Sequence, residues 1–179
     1  MESLGLLQTG ADRALRLSPT GQGLAEKVMR RHRVLERWLV DGLGLDWSRA
    51  HSEAQRMEHA VSAEVVDRLY AAMGAPATCP HGTPIPGPHG VAAYAGSRTL
   101  DTIAPGAVIR VARIAEDAEE SAASLEALDH LGLRPGRQLR LLPRAADGGV
   151  RFDSGDGEAV LAAELAAKAW VDAQPGSGL

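Results

Sequence analysis

Three imidazoles, two carboxylates and an amide fall at helical spacings in two neighbouring stretches of the chain. His51, Gln55, Glu58 and His59 stand at i, i+4, i+7 and i+8, so a single helix would carry all four on one face. Upstream, His32 and Glu36 are again four apart. Imidazole with carboxylate is the ligand set of a divalent first-row metal. By spacing alone, a solvated polar face with incidental histidines fits equally well, and a lone His–Glu pair is also what a surface ion pair looks like. Cys79-Pro80-His81-Gly82 is a second candidate, placing a thiol and an imidazole close together in a loop. Two ligands do not make a site, and a turn with a partly buried cysteine is the plainer reading. His89 and His130 have no partners in sequence. There is no nucleophile elbow, phosphate loop or dinucleotide fingerprint, and Gly42-x-Gly44 follows a helical pattern as punctuation, so nothing supports an enzyme.

The elements that must position these residues can be read from periodicity. Leu4-Gly5-Leu6-Leu7 and Ala14-Leu15-Arg16-Leu17 flank a Gly- and Asp-containing turn, which predicts a β-hairpin. Ser18-Pro19-Thr20 opens a helix over residues 21 to about 42, with Leu24, Val28, Leu35, Trp38, Leu39 and Leu43 on its apolar face. Ser48 is expected to begin a second helix running to Met57 or beyond. Ser62 caps a third, with Val65, Val66, Leu69 and Met73 apolar and Gly74 and Pro76 ending it. Residues 76–98 are rich in Pro and Gly and read as a linker or an ordered extended loop. Strands are expected at 107–114, 138–142, 150–152 and 169–171, with a short helix at 121–131. Short strands with one helix predict a small barrel. The apolar faces within 24–43 and 65–73 exceed what a small domain hides by itself, which predicts a homodimer.

The 179 residues have ordinary proportions for a globular protein, 45% hydrophobic and 23% charged. Aromatics make up only 3%, so Leu, Val and Ala must build the cores. One cysteine excludes an internal disulfide framework and suits a reducing cytoplasm. No apolar run approaches the roughly 20 residues of a membrane span, and Met1 to Gly5 lacks the pattern of a signal peptide. These features predict a cytoplasmic protein with no membrane partner. The net charge of −4 argues against a constitutive nucleic-acid binder, but not against one that binds DNA after taking up cations.

The runs Ser18-Pro19-Thr20-Gly21, Val28-Met29-Arg30-Arg31-His32-Arg33-Val34-Leu35-Glu36-Arg37, Ala50-His51-Ser52-Glu53-Ala54 and Glu58-His59, with Cys79-Pro80-His81-Gly82-Thr83-Pro84-Ile85-Pro86, resemble the diphtheria toxin repressor family of iron- and manganese-dependent regulators. Gly132-Leu133-Arg134-Pro135-Gly136 through Trp170 resembles its C-terminal FeoA-like barrel. The resemblance implies an α+β fold. Residues 1–18 would be a winged-helix remnant (the wing hairpin), 19–75 the metal-binding and dimerisation helices, 76–98 the linker, and 99–174 a FeoA/SH3-like β-barrel.

By position, the resemblance also implies that His32, Glu36 and His51 belong to an ancillary metal site, with Glu119 or Glu120 as the nearest barrel carboxylates. Gln55, Glu58 and His59 match a primary, activating site, and Cys79 and His81 a pair that joins Glu36 in a secondary site. The implied metal is Mn²⁺ or Fe²⁺, and the implied function is metal-dependent transcriptional repression of metal-homeostasis genes. Gln55 departs from the family pattern, standing where a thiolate or carboxylate is usual. Most of the DNA-reading domain would also be missing, so operator DNA is a partner expected of a full-length form rather than of this chain alone. A truncated, non-DNA-binding dimerisation partner or a metal-buffering protein is the alternative.

Overall fold

The computed structural model describes residues 5–10, 12–87 and 96–173. The hairpin forms as expected: β1 (Leu7–Thr9) pairs antiparallel with β2 (Leu15–Leu17), Leu7 facing Leu17. It leads directly into α1 (Pro19–Asp41). Ser18 caps this helix by accepting a hydrogen bond from the Gly21 amide, at 3.1 Å, and Pro19 occupies the first turn, where its missing N–H costs nothing. The same Ser18 hydroxyl donates to the Gly5 carbonyl, at 2.6 Å, tying hairpin to helix. After Gly42 and a left-handed Gly44, a 3₁₀ turn (Trp47–Arg49) runs into α2 (Ala50–Met57), and Ser62 caps α3 (Ala63–Ala72) through the Val65 amide.

The second helix differs from expectation at its start. It starts through the 3₁₀ turn rather than from a Ser48 cap, and it stops at Met57. The three helices pack through Leu35, Leu39 and Ala54, and through Val34 and Val66 against Ile85.

The C-terminal half is a six-stranded antiparallel sheet with strand order β3-β8-β4-β5-β6-β7. Its strands are β3 (Arg98–Thr99), β4 (Val108–Ile114), β5 (Gln138–Leu141), β6 (Val150–Asp153), β7 (Glu158–Leu161) and β8 (Ala169–Ala173). Three short helices join them: α4 (Glu116–Glu119), α5 (Ala122–His130) and α6 (Ala163–Ala166). Among the described residues no pairing joins β3 to β7, so the expected barrel is not closed by hydrogen bonds; β3 is two residues long and turns at once into a 3₁₀ turn. The core beneath this sheet contains Ile109, Val111, Ile114, Leu125, Leu128, Leu139, Phe152 and Val171. It also contains Trp47, which the helical segment inserts into it.

Residues 76–87 form a buried strap between α1 and β4. Three arginines on one stripe of α1 hold its carbonyls. Arg30 donates to Pro86 O, Arg33 to Pro84 O at 2.7 Å, and Arg37 to Thr78 O and Cys79 O. Trp47 Nε1 donates to Pro80 O at 3.0 Å. On the far side the Ile114 amide donates to His81 O at 2.9 Å. Residues 88–95 of the predicted linker, with His89, lie outside the described residues.

Gly82 sits at φ +90°, and a Cβ there would fall 2.2 Å from Ala112 O and 2.8 Å from Arg113 Cα. Gly82→Ala is therefore expected to destabilise the protein by about 2–4 kcal/mol, combining left-handed strain with an overpacked contact. A thermal or urea melt checks this, and an unchanged midpoint would show that the strap does not need the close approach.

Candidate metal centre

Glu36 is the centre of the site. It lies on the buried face of α1 with no exposed surface, one turn after His32. His32 Nε2 and His51 Nδ1, the latter from α2, each lie 3.1 Å from Glu36 Oε1 and 3.1 Å from each other. The strap brings Cys79 and His81, both fully buried, to the same carboxylate, with His81 Nδ1 3.4 Å from Glu36 Oε1. From α4, Glu119 Oε2 approaches His51 Nδ1 to 3.6 Å and His81 Nδ1 to 3.7 Å, while Thr83 Oγ1 donates to Glu119 Oε1. Two groups of three possible ligands result, His32–Glu36–His51 and Glu36–Cys79–His81, each with its donor atoms within 4.8 Å of one another.

The structure divides the four-residue face predicted on α2. His51 turns inward to Glu36. Glu58, just past the last helical residue, accepts from His32 Nδ1 at 2.7 Å, so it supports His32 from behind. Gln55 is exposed on the rim of a cleft of about 230 Å³, which His32, His51, Glu58, Glu116, Glu119 and Glu120 also line. His59 lies beyond the helix end, its side chain 77% exposed and 3.3 Å from Glu58. Gln55, Glu58 and His59 thus do not converge as the other five predicted residues do. The reason is that the chain leaves the helical path after Met57, so the i+8 position loses the face that i and i+4 share. Of the two barrel acids, Glu119 reaches the cluster, and only the fold across the strap could have selected it.

The electrostatics follow from burial. Desolvation would raise the Glu36 carboxyl, but hydrogen bonds from His32 and His51 and the charge of the nearby His81 hold it well below the usual range. Burial would lower His51, but Glu119 and Glu36 push it up to about 10. His32 is raised against its own desolvation by Glu36 and Glu58, and His81 by Glu36 and Glu119. Burial, then Glu36 and Glu119, push the Cys79 thiol well up.

The donor set fits a divalent cation. Glu36 Oε2 and His81 Nδ1 are buried with no hydrogen-bond partner; the 3.4 Å approach of His81 to Glu36 lacks hydrogen-bond geometry. His81 Nε2 donates to the Trp47 carbonyl at 3.2 Å, which in the neutral ring leaves the Nδ1 lone pair facing Glu36. Metal–ligand bonds of about 2.1 Å allow neighbouring donors to lie about 3–3.4 Å apart. The 3.1 Å triangle of His32, Glu36 and His51 lies within that range.

Residues 18–87 match the family described as iron dependent repressor, metal binding and dimerisation domain, and residues 98–173 match the FeoA domain. The diphtheria toxin repressor of Corynebacterium diphtheriae is 35% identical over 174 residues, covering 93% of this chain and 76% of that protein. The iron-dependent repressor IdeR of Mycobacterium tuberculosis is 49% identical over 87 residues, covering 49% of this chain and 38% of that protein, so the match spans well under half of that relative. A solved manganese-dependent transcriptional repressor in complex with manganese superposes with a TM-score of 0.82 at 34% identity, over 97% of this chain and 80% of its own.

Imidazoles whose affinity for a proton rises on folding stabilise the native state fully below their unfolded value near 6.5, and the benefit is lost as pH rises through the folded value, about 10 for His51. The depressed Glu36 contributes in the opposite sense, with stability lost in acid as it takes up a proton. The thermal midpoint of the metal-free protein is therefore expected to fall as pH is taken from 6.5 towards 10. Ligation requires neutral imidazoles, so metal affinity should rise over the same interval with release of protons. Calorimetry in buffers of differing ionisation enthalpy, alongside melts across that range, checks both; a flat midpoint and no proton release would contradict the electrostatics above.

Proposed function

Since this chain belongs to the diphtheria toxin repressor family of metal-dependent regulators, we propose that it acts in metal-dependent transcriptional repression, sensing Mn²⁺ or Fe²⁺ and controlling metal-homeostasis genes. The observation that carries this reading is the buried Glu36 carboxylate, ringed by imidazoles, with one oxygen and the facing His81 nitrogen unpartnered. His32, Glu36 and His51 would hold the ion, with Glu58 orienting His32 and Glu119 supplying a further carboxylate from the C-terminal sheet. Bound metal would supply positive charge at the meeting point of α1, α2, the strap and α4. A donor set of imidazole nitrogens and carboxylate oxygens supports Mn²⁺ or Fe²⁺.

A homodimer is the assembly this reading requires. Leu24, Val28 and Met29 on α1 and Val65 on α3 are exposed, Leu24 by 50%. Operator DNA is the expected partner of the whole regulator, read by a winged helix to which the β1–β2 hairpin would belong. Metal and DNA affinity would then be reciprocally coupled.

Calorimetric titration with Mn²⁺, and with Fe²⁺ under anaerobic conditions, tests the metal assignment. His51→Ala or Glu36→Ala should weaken binding by about 100-fold or more, since even outer-shell partners of a site are worth up to about that much. His59→Ala should leave the cluster's affinity nearly unchanged. Absence of saturable binding, or binding indifferent to His51 and Glu36, would remove the assignment. Sedimentation analysis tests the assembly: Leu24→Asp with Val65→Asp should shift the protein from dimer to monomer, and a dimer that survives both would place the interface elsewhere.

A further inference from the structure

No spacing in the sequence points to Trp47, yet it touches two of the segments that bring imidazoles to Glu36. It is 3% exposed and belongs to the core of the C-terminal sheet, although the 3₁₀ turn that bears it is part of the helical segment. Helix α5 packs against that turn, and the Arg134 guanidinium stands 5.7 Å from the centre of the indole. A tryptophan that serves only as core needs an acceptor for its N–H and nothing more. The partners of Trp47 go further.

Its Nε1 donates to Pro80 O at 3.0 Å, the carbonyl directly before His81. Its own carbonyl accepts from His81 Nε2 at 3.2 Å, and the two rings meet edge to face with their centres 4.6 Å apart. The same carbonyl accepts the amide of Ala50, which opens α2 directly before His51.

The carbonyls of the strap divide between the two halves of the protein. Helix α1 holds those of Thr78, Cys79 and Pro84 through Arg37 and Arg33. Those of Pro80 and His81 are held by Trp47 and by the Ile114 amide of β4. His32 and Glu36 are thus placed by α1, whereas His81 is placed from the side of the C-terminal sheet. Trp47 is common to the sheet core, the strap and the start of α2.

Resting on the metal-binding reading above, we propose that Trp47 is a positioning residue of the metal centre: docked in the C-terminal sheet, it holds His81 against Glu36, and through it that sheet sets the affinity of the cluster. Trp47 itself touches no ion. Phenylalanine at this position would keep most of the ring packing but leave Pro80 O, on a buried residue of the strap, without its donor. An enclosed carbonyl in that condition is costly. The simplest relief is a shift of the turn, which carries His81 with it.

The test measures Mn²⁺ affinity by calorimetry on the whole chain, with thermal midpoints of the metal-free forms recorded alongside. Trp47→Phe should weaken binding by about 10-fold, the lower end of what outer partners of a metal site contribute. Phe152→Leu loosens the same core on β6, separated from β4 by β5. It should lower the midpoint and leave the affinity within about twofold, as expected of a distant site. In a His81→Ala background Trp47→Phe should cost no more than about twofold, because residues that act through one another do not add. If Trp47→Phe does not fold, the benzothienyl isostere of tryptophan at position 47, which keeps both rings and puts sulfur in place of the N–H, is measured with the same expectations.

Affinity unchanged by Trp47→Phe would overturn the proposal while leaving metal sensing at the cluster intact. So would an equal loss in Phe152→Leu, or a loss that persists in full without His81. No saturable Mn²⁺ binding by the parent protein would overturn the metal reading itself.

Discussion

Glu36 is a carboxylate in the middle of a helix with no exposed surface, and its neighbours favour the ionised form. Removing such a charge from solvent costs on the order of several kcal/mol unless cations and hydrogen bonds replace the lost hydration. Three imidazoles from three separate segments do so here, and each is itself raised in proton affinity by the carboxylates it meets. The requirement organises the surroundings. Helix α2 must present His51, the strap must present His81, and α4 must stand close enough for Glu119 to share the load. A divalent ion answers the same requirement more completely than protons do, because it also satisfies the oxygen and nitrogen that protonated imidazoles leave unpartnered.

The strap is what makes this arrangement possible. Its carbonyls are gripped by Arg30, Arg33 and Arg37 from one side, and its His81 carbonyl accepts from Ile114 on the other. Trp47 completes the joint: its ring packs in the core of the C-terminal sheet, its Nε1 holds Pro80 O, and its own carbonyl fixes His81. The helices and the sheet are therefore connected at the same place where the ligands meet. Charge arriving at Glu36 acts on residues from both halves, the physical condition for a bound ion to bias how the two are held together.

Much of this was legible in the sequence. The Ser18 and Ser62 caps, the hairpin and the main strands follow from local patterns, and the four-residue spacing of His32 and Glu36 does place both on one turn of α1. The arginine stripe could have been read as well, since Arg30, Arg33 and Arg37 repeat at helical intervals beside the site, but its targets are carbonyls more than forty residues away. The reading of His59 on the same helical face as His51 requires α2 to continue, whereas the helix ends at Met57 and the side chain is exposed. Cys79-x-His81 looked incomplete because its third member, Glu36, lies on another element.

The sequence alone determined which segments are helical or extended, which residue types can bind metal, and which of them share a helical turn. These depend on the backbone repeat, fixed at 3.6 residues for a helix and 2 for a strand, and so are written at short range. The resemblance grouped His32 and His51 with Glu36, and Cys79 and His81 with Glu36; only the tertiary structure decided that the two groups meet Glu119 in one cluster while Gln55 and His59 stand outside it. That outcome depends on where a helix stops, how a proline-rich strap is clamped, and which turn of the C-terminal sheet packs against it. These are contacts between residues distant in sequence, governed by burial and charge rather than by spacing.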